Sequence, residues 1–417
     1  MSFRTVFVAP RVPYPLDSGL TQRMFHVLNA LTSLGPVDLV CYRDNQLPCD
    51  DGDLGPLRDL CDTLQALPYP SAPGHASSRS RRDVLRQFVI SRTPHLVSDF
   101  AGVPLVERAA ALAQRADLVW AERIFVAEWL TTDRGKTIVD LDDLESVKQN
   151  RRLTLEPAGP WGLALRLDNL KLRRLERRAP SRYARVVVCS NPDRRFFPAR
   201  HRGAVLVVPN GVPARLLHAP TRPRDPASLV LVGTMRYEPN VDAAMWLVRE
   251  ILPRVAEAVP DVRLYLVGDD LRGTLGRMHD GHRIIVTGRV DDVAPYVSRA
   301  TVSLAPLRVG GGTRIKILEA FALGTPVVST SIGAEGLDVV PGRHLRIADT
   351  PESFAAAVVD LLRDPVARES LAEAGRRLVA EWYTWEAIGT RLGADLRELL
   401  AHRSEPAAAG RSRLSAW

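Results

Sequence analysis

The sequence predicts an α/β protein of two Rossmann-like domains, each built on a parallel sheet. Its 417 residues are too many for one ordinary core and suit two domains of about 200 residues. Short apolar runs alternate with helix-length segments through both halves of the chain, which indicates parallel strands covered by helices. A proline-dense run over residues 208–226 separates the halves, as expected of a connection between domains.

The first half reads as strands and helices in alternation. The segment Arg23–Leu34 is predicted to be an amphipathic helix, because its apolar residues recur at helical spacing on one face. The strands predicted in this half are Thr5–Pro10, Val37–Tyr42, Leu118–Trp120, Thr137–Leu141 and Arg185–Cys189.

The same alternation restarts after the proline run. The strands predicted here are Ser228–Gly233, Val262–Val267, Arg283–Thr287, Thr301–Ala305 and Pro326–Ser329. The predicted helices are Asp242–Ala256, Lys316–Leu323, Glu352–Leu362 and Trp382–Leu400. We therefore predict domains at 1–207 and 208–380, a helix at 381–402 that crosses back to the first domain, and a flexible tail at 403–417.

Composition narrows the class of protein. Hydrophobic residues make up 46% and charged residues 25%, as in globular proteins, and no apolar run approaches the roughly 18 residues of a membrane span. The N-terminus lacks the pattern of a signal peptide, and the four cysteines show no CxxC spacing, so we expect reduced thiols and a cytoplasmic location. The net charge of +8 is consistent with arginines dispersed over a solvated surface, or with an anionic membrane surface or a phosphate-bearing ligand as partner. Nucleic acid is a weak candidate, because no zinc spacing, RNP-type motif or helix-turn-helix signal is present.

The segment from Pro306 to Val328 carries the most information. Three glycines, Gly310 to Gly312, follow a predicted strand and precede a predicted helix, so the backbone can approach a ligand closely. Arg314 and Lys316 place two cations in the first turn, where the helix dipole disfavours them unless an anion is bound. A diphosphate is one such anion; a glycine-rich turn with surface cations is the other interpretation.

This segment resembles the donor-binding motif of retaining GT-B glycosyltransferases of the group 1, family 4 type, and especially the GxGTRxKxLEAxAxGxPVVST pattern of bacterial exopolysaccharide-associated sugar transferases. The resemblance extends along the chain. Further matching segments are Pro13-Tyr14-Pro15 with Asp17 and Gly19, Val208–Val212, Val232–Met235 with Pro239-Asn240, Leu266–Gly268, Val286–Gly288 and Tyr383–Trp385. The resemblance implies a GT-B fold of two facing domains and a nucleotide diphosphate sugar as donor.

The family's two glutamates stand eight positions apart, and only the second is kept. It maps onto Glu319, whose implied role is to accept hydrogen bonds from the donor ribose hydroxyls. Gly311 replaces the first, which usually positions the donor sugar, so backbone N–H groups of Gly311 and Gly312 are expected to hold the sugar hydroxyls instead. Thr313 is a further candidate donor-binding residue.

The family's arginine and lysine of the first donor-domain loop are also replaced. They map near Thr234 and Asn240, and our hypothesis is that Arg314, Lys316 and Arg236 neutralise the diphosphate in their place. Asn240 remains a candidate donor-binding residue.

Four further positions are implied to bind the donor. Gly19 resembles the loop glycine that approaches the donor phosphate, with an ordinary strand-to-helix turn as the alternative. Gly268 and the turn at Arg289 and Val290 are the candidates for contacting the base through backbone groups.

Four carboxylates lie at the end of a predicted strand in the first half: Asp140, Asp142, Asp143 and Glu145. Asp143 lies where relatives carry a polar or acidic residue that positions the acceptor. A metal-binding DxD formed by Asp140 and Asp142, and helix N-capping by Asp142 or Asp143, are the alternatives.

The resulting hypothesis is a retaining hexosyltransferase that needs no metal and no cofactor other than the nucleotide sugar. Catalysis is assigned to Arg314, Lys316 and Asp143. The acceptor is left open between a lipid-linked glycan, a polysaccharide precursor and a natural-product scaffold. The basic stretch 166–185 is either a solvated face or a peripheral contact with the inner membrane face. A nucleotide-sugar-binding protein without transferase activity and a GT-B epimerase are the alternative functions.

Overall fold

The computed structural model describes residues 2–16, 18–43, 54–69, 88, 90–98, 100, 103–130, 132–153, 159–220, 222–235, 237–270, 273–309 and 314–404. The chain forms two compact units. The first comprises the residues up to Pro209 together with those from Gly389 on, and the second comprises Asn210–Ile388.

The first unit is built on a seven-stranded sheet in which every described pairing is parallel. Its strands are β1 (Thr5–Ala9), β2 (Val37–Arg43), β3 (Thr63–Pro68), β4 (Leu118–Glu122), β5 (Thr137–Asp140), β6 (Arg185–Val188) and β7 (Val205–Val207). The order β3-β2-β1-β4-β5-β6-β7 reverses between β1 and β4, as in doubly wound folds. The central strands are buried on both faces, which explains their continuous apolar sequence.

Helices cover this sheet. They are α1 (Gly19–Thr32), α2 (Gly55–Arg58), α3 (His95–Ser98), α4 (Val103–Ala113), α5 (Ile124–Trp129), α6 (Glu145–Leu153), α7 (Pro160–Arg178) and α8 (Asn191–Arg195). Helix α1 begins four residues before the predicted start at Arg23 and ends at Thr32. Ser18 caps it in a reciprocal capping box with Thr21, which satisfies backbone N–H groups at the helix start and fixes the earlier boundary.

The second unit contains a six-stranded parallel sheet. Its strands are β8 (Ser228–Val232), β9 (Arg263–Val267), β10 (Ile284–Gly288), β11 (Val302–Ala305), β12 (Val327–Ser329) and β13 (Arg346–Ile347). The order β10-β9-β8-β11-β12-β13 reverses between β8 and β11. Alternate residues of β8 enter separate apolar cores on the two faces, Leu229 and Leu231 on one and Val230 on the other.

The helices of this unit are α9 (Glu238–Trp246), α10 (Leu252–Ala258), α11 (Ala294–Arg299), α12 (Ile315–Ala322), α13 (Pro351–Arg363), α14 (Pro365–Leu378) and the first turn of α15 (Trp385–Ser404). The predicted single helix Asp242–Ala256 is two helices joined by a π-helical turn at Leu247–Ile251. A second π turn, Val379–Tyr383, precedes α15, so the last helix begins at Trp385 rather than at Trp382. Among the described helices, none combines the length and the hydropathy that crossing a bilayer requires.

The cysteines in the described part of the chain are free thiols, as predicted for them. They are Cys41, Cys61 and Cys189, and Cys49 lies outside the described residues. Most of the predicted tail 403–417 also lies outside them.

A fully buried ion pair ties α1 to β5 in the first unit. The Arg23 guanidinium donates to both carboxylate oxygens of Asp140 at 3.0 and 2.9 Å and to the Val208 carbonyl at 2.8 Å, and neither side chain is exposed. The DxD interpretation of Asp140 and Asp142 is therefore wrong for Asp140, since arginine occupies both of its oxygens.

Breaking this pair is expected to be costly. Arg23→Met should lower the free energy of unfolding by about 3–5 kcal/mol, because it leaves the Asp140 carboxylate buried without its cation. Urea denaturation measures the change. Arg299→Met, which breaks an exposed pair with Asp225, is the matched control and should cost less than about 1 kcal/mol. Equal losses in the two variants would contradict the assignment.

Candidate functional site

The candidate site of the second unit lies where its strand order reverses, between the carboxyl ends of β8 and β11. Ligands of doubly wound sheets bind at such a point, because loops from the two strands diverge and leave a crevice. Residues 233–237 follow β8 and lead into α9, and residues 306–314 follow β11 and lead into α12. The sequence-predicted donor residues Asn240, Arg314, Lys316 and Glu319 belong to these two connections and helices.

Helix α12 is held by its apolar face. Ile317, Leu318 and Phe321 are buried in the core of the second unit. Lys316 and Glu319 stand three residues apart, so they share the opposite side of the helix, where both are half-buried. The predicted helix Lys316–Leu323 is thus found one residue earlier, at Ile315–Ala322.

Lys316 joins the two connections. Its Nζ donates to Oδ1 of Asn240 at 2.8 Å, and Nδ2 of Asn240 donates to the Thr234 carbonyl at 3.0 Å. Desolvation, together with the nearby charge of Arg314, lowers the pKa of Lys316 to about 7, although the charge of Glu319 acts against this fall. A bound anion would remove this penalty on the ammonium.

Glu319 is an acceptor with spare capacity. Its carboxylate receives no hydrogen bond from the described residues, and desolvation raises its pKa to about 7 although Lys316 acts against that rise. Two residues that the sequence reasoning missed also act on it: the charge of Asp292 raises its pKa and that of Arg215 lowers it. Arg215 follows the motif Val208–Pro213, but nothing in the sequence pairs it with a residue 104 positions away.

Arg314 occupies the N-cap position of α12 and is buried. Its Nη2 donates to the Ile332 carbonyl at 3.4 Å, which ties the guanidinium to the segment after β12. Two cations therefore stand at the start of one helix, as the sequence predicted.

Gly268 lies at the end of β9, next to the connection that follows β8. Its N–H donates to the Gly288 carbonyl at 3.2 Å, so this amide is already engaged. The backbone group with which Gly268 would contact the nucleotide base is therefore its own carbonyl. Directly after Gly288, Arg289 is exposed and Val290 packs partly against the apolar core of the second unit. Their predicted contact with the base stays a prediction.

Gly268→Ala should lower the free energy of unfolding of the second unit. The φ of Gly268 is +143°, and a Cβ there would stand 2.1 Å from the Gly233 carbonyl oxygen. We expect a loss of about 3 kcal/mol or more in thermal or urea unfolding. Gly324→Ala is the control, because φ is +69° but the Cβ would meet open space, and a loss of about 1–2 kcal/mol is expected. A Gly268→Ala loss no larger than that of the control would contradict the close approach.

Gly19 and Asp143 belong to the first unit. Gly19 is the first residue of α1, directly after the Ser18 cap, so it does stand at a helix N-terminus that follows a strand. Its proposed approach to a donor phosphate stays a prediction.

Two residues with positive φ hold the turn that precedes Asp143. Asp142 has φ of +53° and Arg123 has φ of +77°, and the Arg123 Nη2 donates to Oδ2 of Asp142 at 2.8 Å. Positive φ at non-glycine residues stores strain and is common where a side chain is held for function. This pair fixes the turn that presents Asp143.

The Asp143 carboxylate is only partly engaged. Its Oδ2 is 3.8 Å from Nζ of Lys148, and its Oδ1 is buried without a hydrogen-bond partner. Desolvation and the charge of Asp142 raise its pKa to about 6. Helix α6 begins at Glu145, and no described backbone N–H donates to the Asp143 carboxylate, so N-capping by Asp143 is wrong.

One cluster in the described part of the chain brings three potential metal ligands together, from Asp142, Asp143 and Cys189. Oδ1 of Asp142 accepts the Cys189 thiol proton at 2.8 Å, and burial raises the pKa of that thiol well above its usual range. A neutral thiol and a carboxylate already paired with Arg123 make a poor donor set for a divalent cation.

Four predicted donor-binding residues lie outside the described residues. They are Arg236, Gly311, Gly312 and Thr313. Their roles stay predictions.

Comparison with known proteins gives a family match in this unit. Residues 226–364 match the model of the family described as glycosyl transferases group 1, a range that includes β8, α9, β11 and α12. The phosphatidyl-myo-inositol mannosyltransferase of Mycobacterium tuberculosis is 33% identical in an alignment of 202 residues that covers 44% of this chain and 52% of that protein. The chain thus matches about half the length of this relative.

Solved structures match the fold over nearly the whole chain. Sucrose-phosphate synthase from Thermosynechococcus elongatus aligns with a TM-score of 0.60 at 16% identity, covering 96% of this chain and 100% of that one. The Anabaena protein HepE in complex with UDP and glucose aligns with a TM-score of 0.60 at 14% identity, covering 95% and 99%. The predicted GT-B fold class is confirmed, and residues 226–364 are identified as a domain of the glycosyl transferases group 1 family.

Proposed function

We propose that the protein transfers a sugar from a nucleotide diphosphate sugar to an acceptor hydroxyl, with retention of anomeric configuration and without a metal ion. The observation that carries the proposal is the group of Arg314, Lys316 and Glu319 at the reversal of strand order in a group 1 domain. Two cations and a free carboxylate acceptor are the groups that a diphosphate and a ribose require.

The transfer would break the bond between the anomeric carbon and the diphosphate and form one from that carbon to the acceptor oxygen. Negative charge grows on the leaving diphosphate, where Arg314, Lys316 and the start of α12 stabilise it electrostatically. The acceptor hydroxyl gives its proton to the departing phosphate on the same face of the sugar, and this route retains configuration. Glu319 holds the ribose, and Asp143 is proposed to orient the acceptor through its partly exposed carboxylate.

The relatives are consistent with this donor chemistry. One is named a mannosyltransferase of phosphatidyl-myo-inositol, and a protein of the same fold binds UDP and glucose. The sugar, the base and the retention of configuration belong to the proposal.

The test is incubation of the purified chain with a panel of nucleotide sugars, with release of nucleoside diphosphate as the readout. Slow release from one donor by hydrolysis is expected even without acceptor. Binding of a nucleotide sugar without any release, with or without added acceptors, would favour a binding protein instead. Neither binding nor release with any donor would overturn the proposal.

A further inference from the structure

We propose that the outward face of α7 docks on a bilayer that contains anionic lipids. The sequence left residues 166–185 open between a solvated face and a membrane contact, and the structure supplies the observations that favour the second. The inference that the acceptor is carried by a lipid rests on the proposed function, whereas the inference of a docking surface is independent of it.

Three leucines of α7 point outward, although Leu172 of the same helix is buried in the core. Leu163, Leu167 and Leu170 recur at helical spacing and are 59%, 38% and 61% exposed. Single exposed leucines are ordinary, but three on one face of one helix form a patch that water solvates poorly. Trp161, in the first turn, is also exposed.

Three polar side chains of α7, those of Asp168, Asn169 and Glu176, point inward and hold this orientation. Glu176 accepts hydrogen bonds from the amide and hydroxyl of Ser146, and Asn169 donates to the Ser146 carbonyl at 3.0 Å. Asp168 accepts the amide of His95 at 3.1 Å. Both acidic residues of the helix are therefore buried, and Glu176 does not offset the arginines beside it as a solvated face would need.

Basic residues continue the outward face beyond the leucines. A concave region of about 480 Å³ lies beside the C-terminal half of the helix. Its basic lining residues are Arg173, Arg174, Arg177, Arg178, Arg200 and His201. Over the described part of the chain, none of these arginines pairs with a carboxylate; Arg173 and Arg177 lie instead over the Phe196 ring.

This order of groups suits a membrane surface. Exposed leucines can enter the boundary between headgroups and acyl chains, while arginines at the same level contact lipid phosphates. A protein partner would need an apolar patch beside a dense acidic one, whereas an anionic bilayer supplies both without specific shape. Each cation at such a surface contributes about fivefold in binding.

The test is flotation of the full chain with vesicles of phosphatidylcholine alone or with about 40% phosphatidylglycerol. We expect binding to the anionic vesicles only, weakened by raised salt. Arg174→Glu with Arg178→Glu should lower the partition coefficient by at least about 25-fold. Leu167→Ser with Leu170→Ser should also lower it but leave the salt dependence in place.

The control is Arg249→Glu with Arg277→Glu, which makes the same charge change at exposed residues of the second unit and should bind like the unmodified chain. Equal loss in this control, or no binding by the unmodified chain, would overturn the proposal. Self-association in light scattering that the leucine variant abolishes, without vesicle binding, would assign the face to a second copy and overturn it too.

Donor hydrolysis separates this proposal from the proposed function. The α7 variants should release nucleoside diphosphate at the unmodified rate in the absence of vesicles. Vesicle binding by a chain that neither binds nor hydrolyses any donor would support the docking surface and reject the transferase.

Discussion

Glu319→Ala is expected to reduce kcat/KM for the donor by about 100-fold, because it removes a charged acceptor of hydrogen bonds from the ribose hydroxyls. The carboxylate meets no donor among the described residues, so these hydroxyls would be its first hydrogen-bond partners. The measurement is the rate of nucleoside diphosphate release against donor concentration. Most of the loss should appear in donor affinity, since the ribose is remote from the bond that breaks.

The thermal stability of Glu319→Ala should be unchanged or increased, in contrast to its activity. The folded pKa of Glu319 is about 7 against an ordinary value of 4.5, so the carboxylate is disfavoured in the ligand-free fold once the pH exceeds 4.5. The variant should therefore melt at the same temperature as the unmodified chain or higher at pH 8. Glu257→Ala, at an exposed position of α10, is the control and should change neither activity nor melting. A variant that loses activity only because it melts early would refute the assigned role.

The parallel sheets were predictable because buried strands appear in the sequence as short apolar runs that alternate regularly with helix-length segments. Helix α12 was placed within one residue, since glycines and Pro326 bound its apolar repeat on both sides. Strand β3 was not predicted, because it is half-exposed at an edge of the sheet and its sequence TLQALP lacks the continuous apolar character of the central strands. Strand β13, of two residues, is too short to leave any periodicity.

The chemistry of the candidate site was only partly predictable. Residue types and motif spacing suggested Arg314, Lys316 and Glu319, but the bond from Lys316 to Asn240 joins residues 76 positions apart and depends on the sheet order. The position of the unpaired Oδ1 of Asp143 depends likewise on Arg123 and Asp142, which are held at positive φ. No local sequence pattern predicts these two conformations. Long-range contacts of this kind need the folded chain.

Donor affinity should depend on pH with a maximum near pH 7, and the two limbs should belong to different residues. Lys316 has a pKa of about 7 in the ligand-free fold, and a bound diphosphate would raise it, so binding takes up a proton. Affinity is then highest below pH 7 and falls as the pH rises through that value. Glu319, also near 7, binds the ribose as a carboxylate, so affinity falls as the pH drops below 7.

Each limb can reach at most about tenfold per pH unit, because one proton is exchanged at each residue. The diphosphate of a nucleotide sugar carries a constant charge over this range, so the limbs report on the protein. Titration calorimetry between pH 6 and 9, roughly one to two units either side of the maximum, measures the affinity, and repeating it in buffers of different ionisation enthalpy counts the protons.

Isosteric variants assign the limbs. Lys316→Met should keep the acid limb and lose the alkaline one, and Glu319→Gln should do the reverse, because each removes one titrating group and keeps the shape of α12. Retention of the alkaline limb in Lys316→Met would show that another group exchanges the proton and that Lys316 does not meet the diphosphate. Loss of both limbs in either variant would mean that the two residues titrate as one coupled pair, since a lysine and a glutamate one helical turn apart share the same desolvated surface.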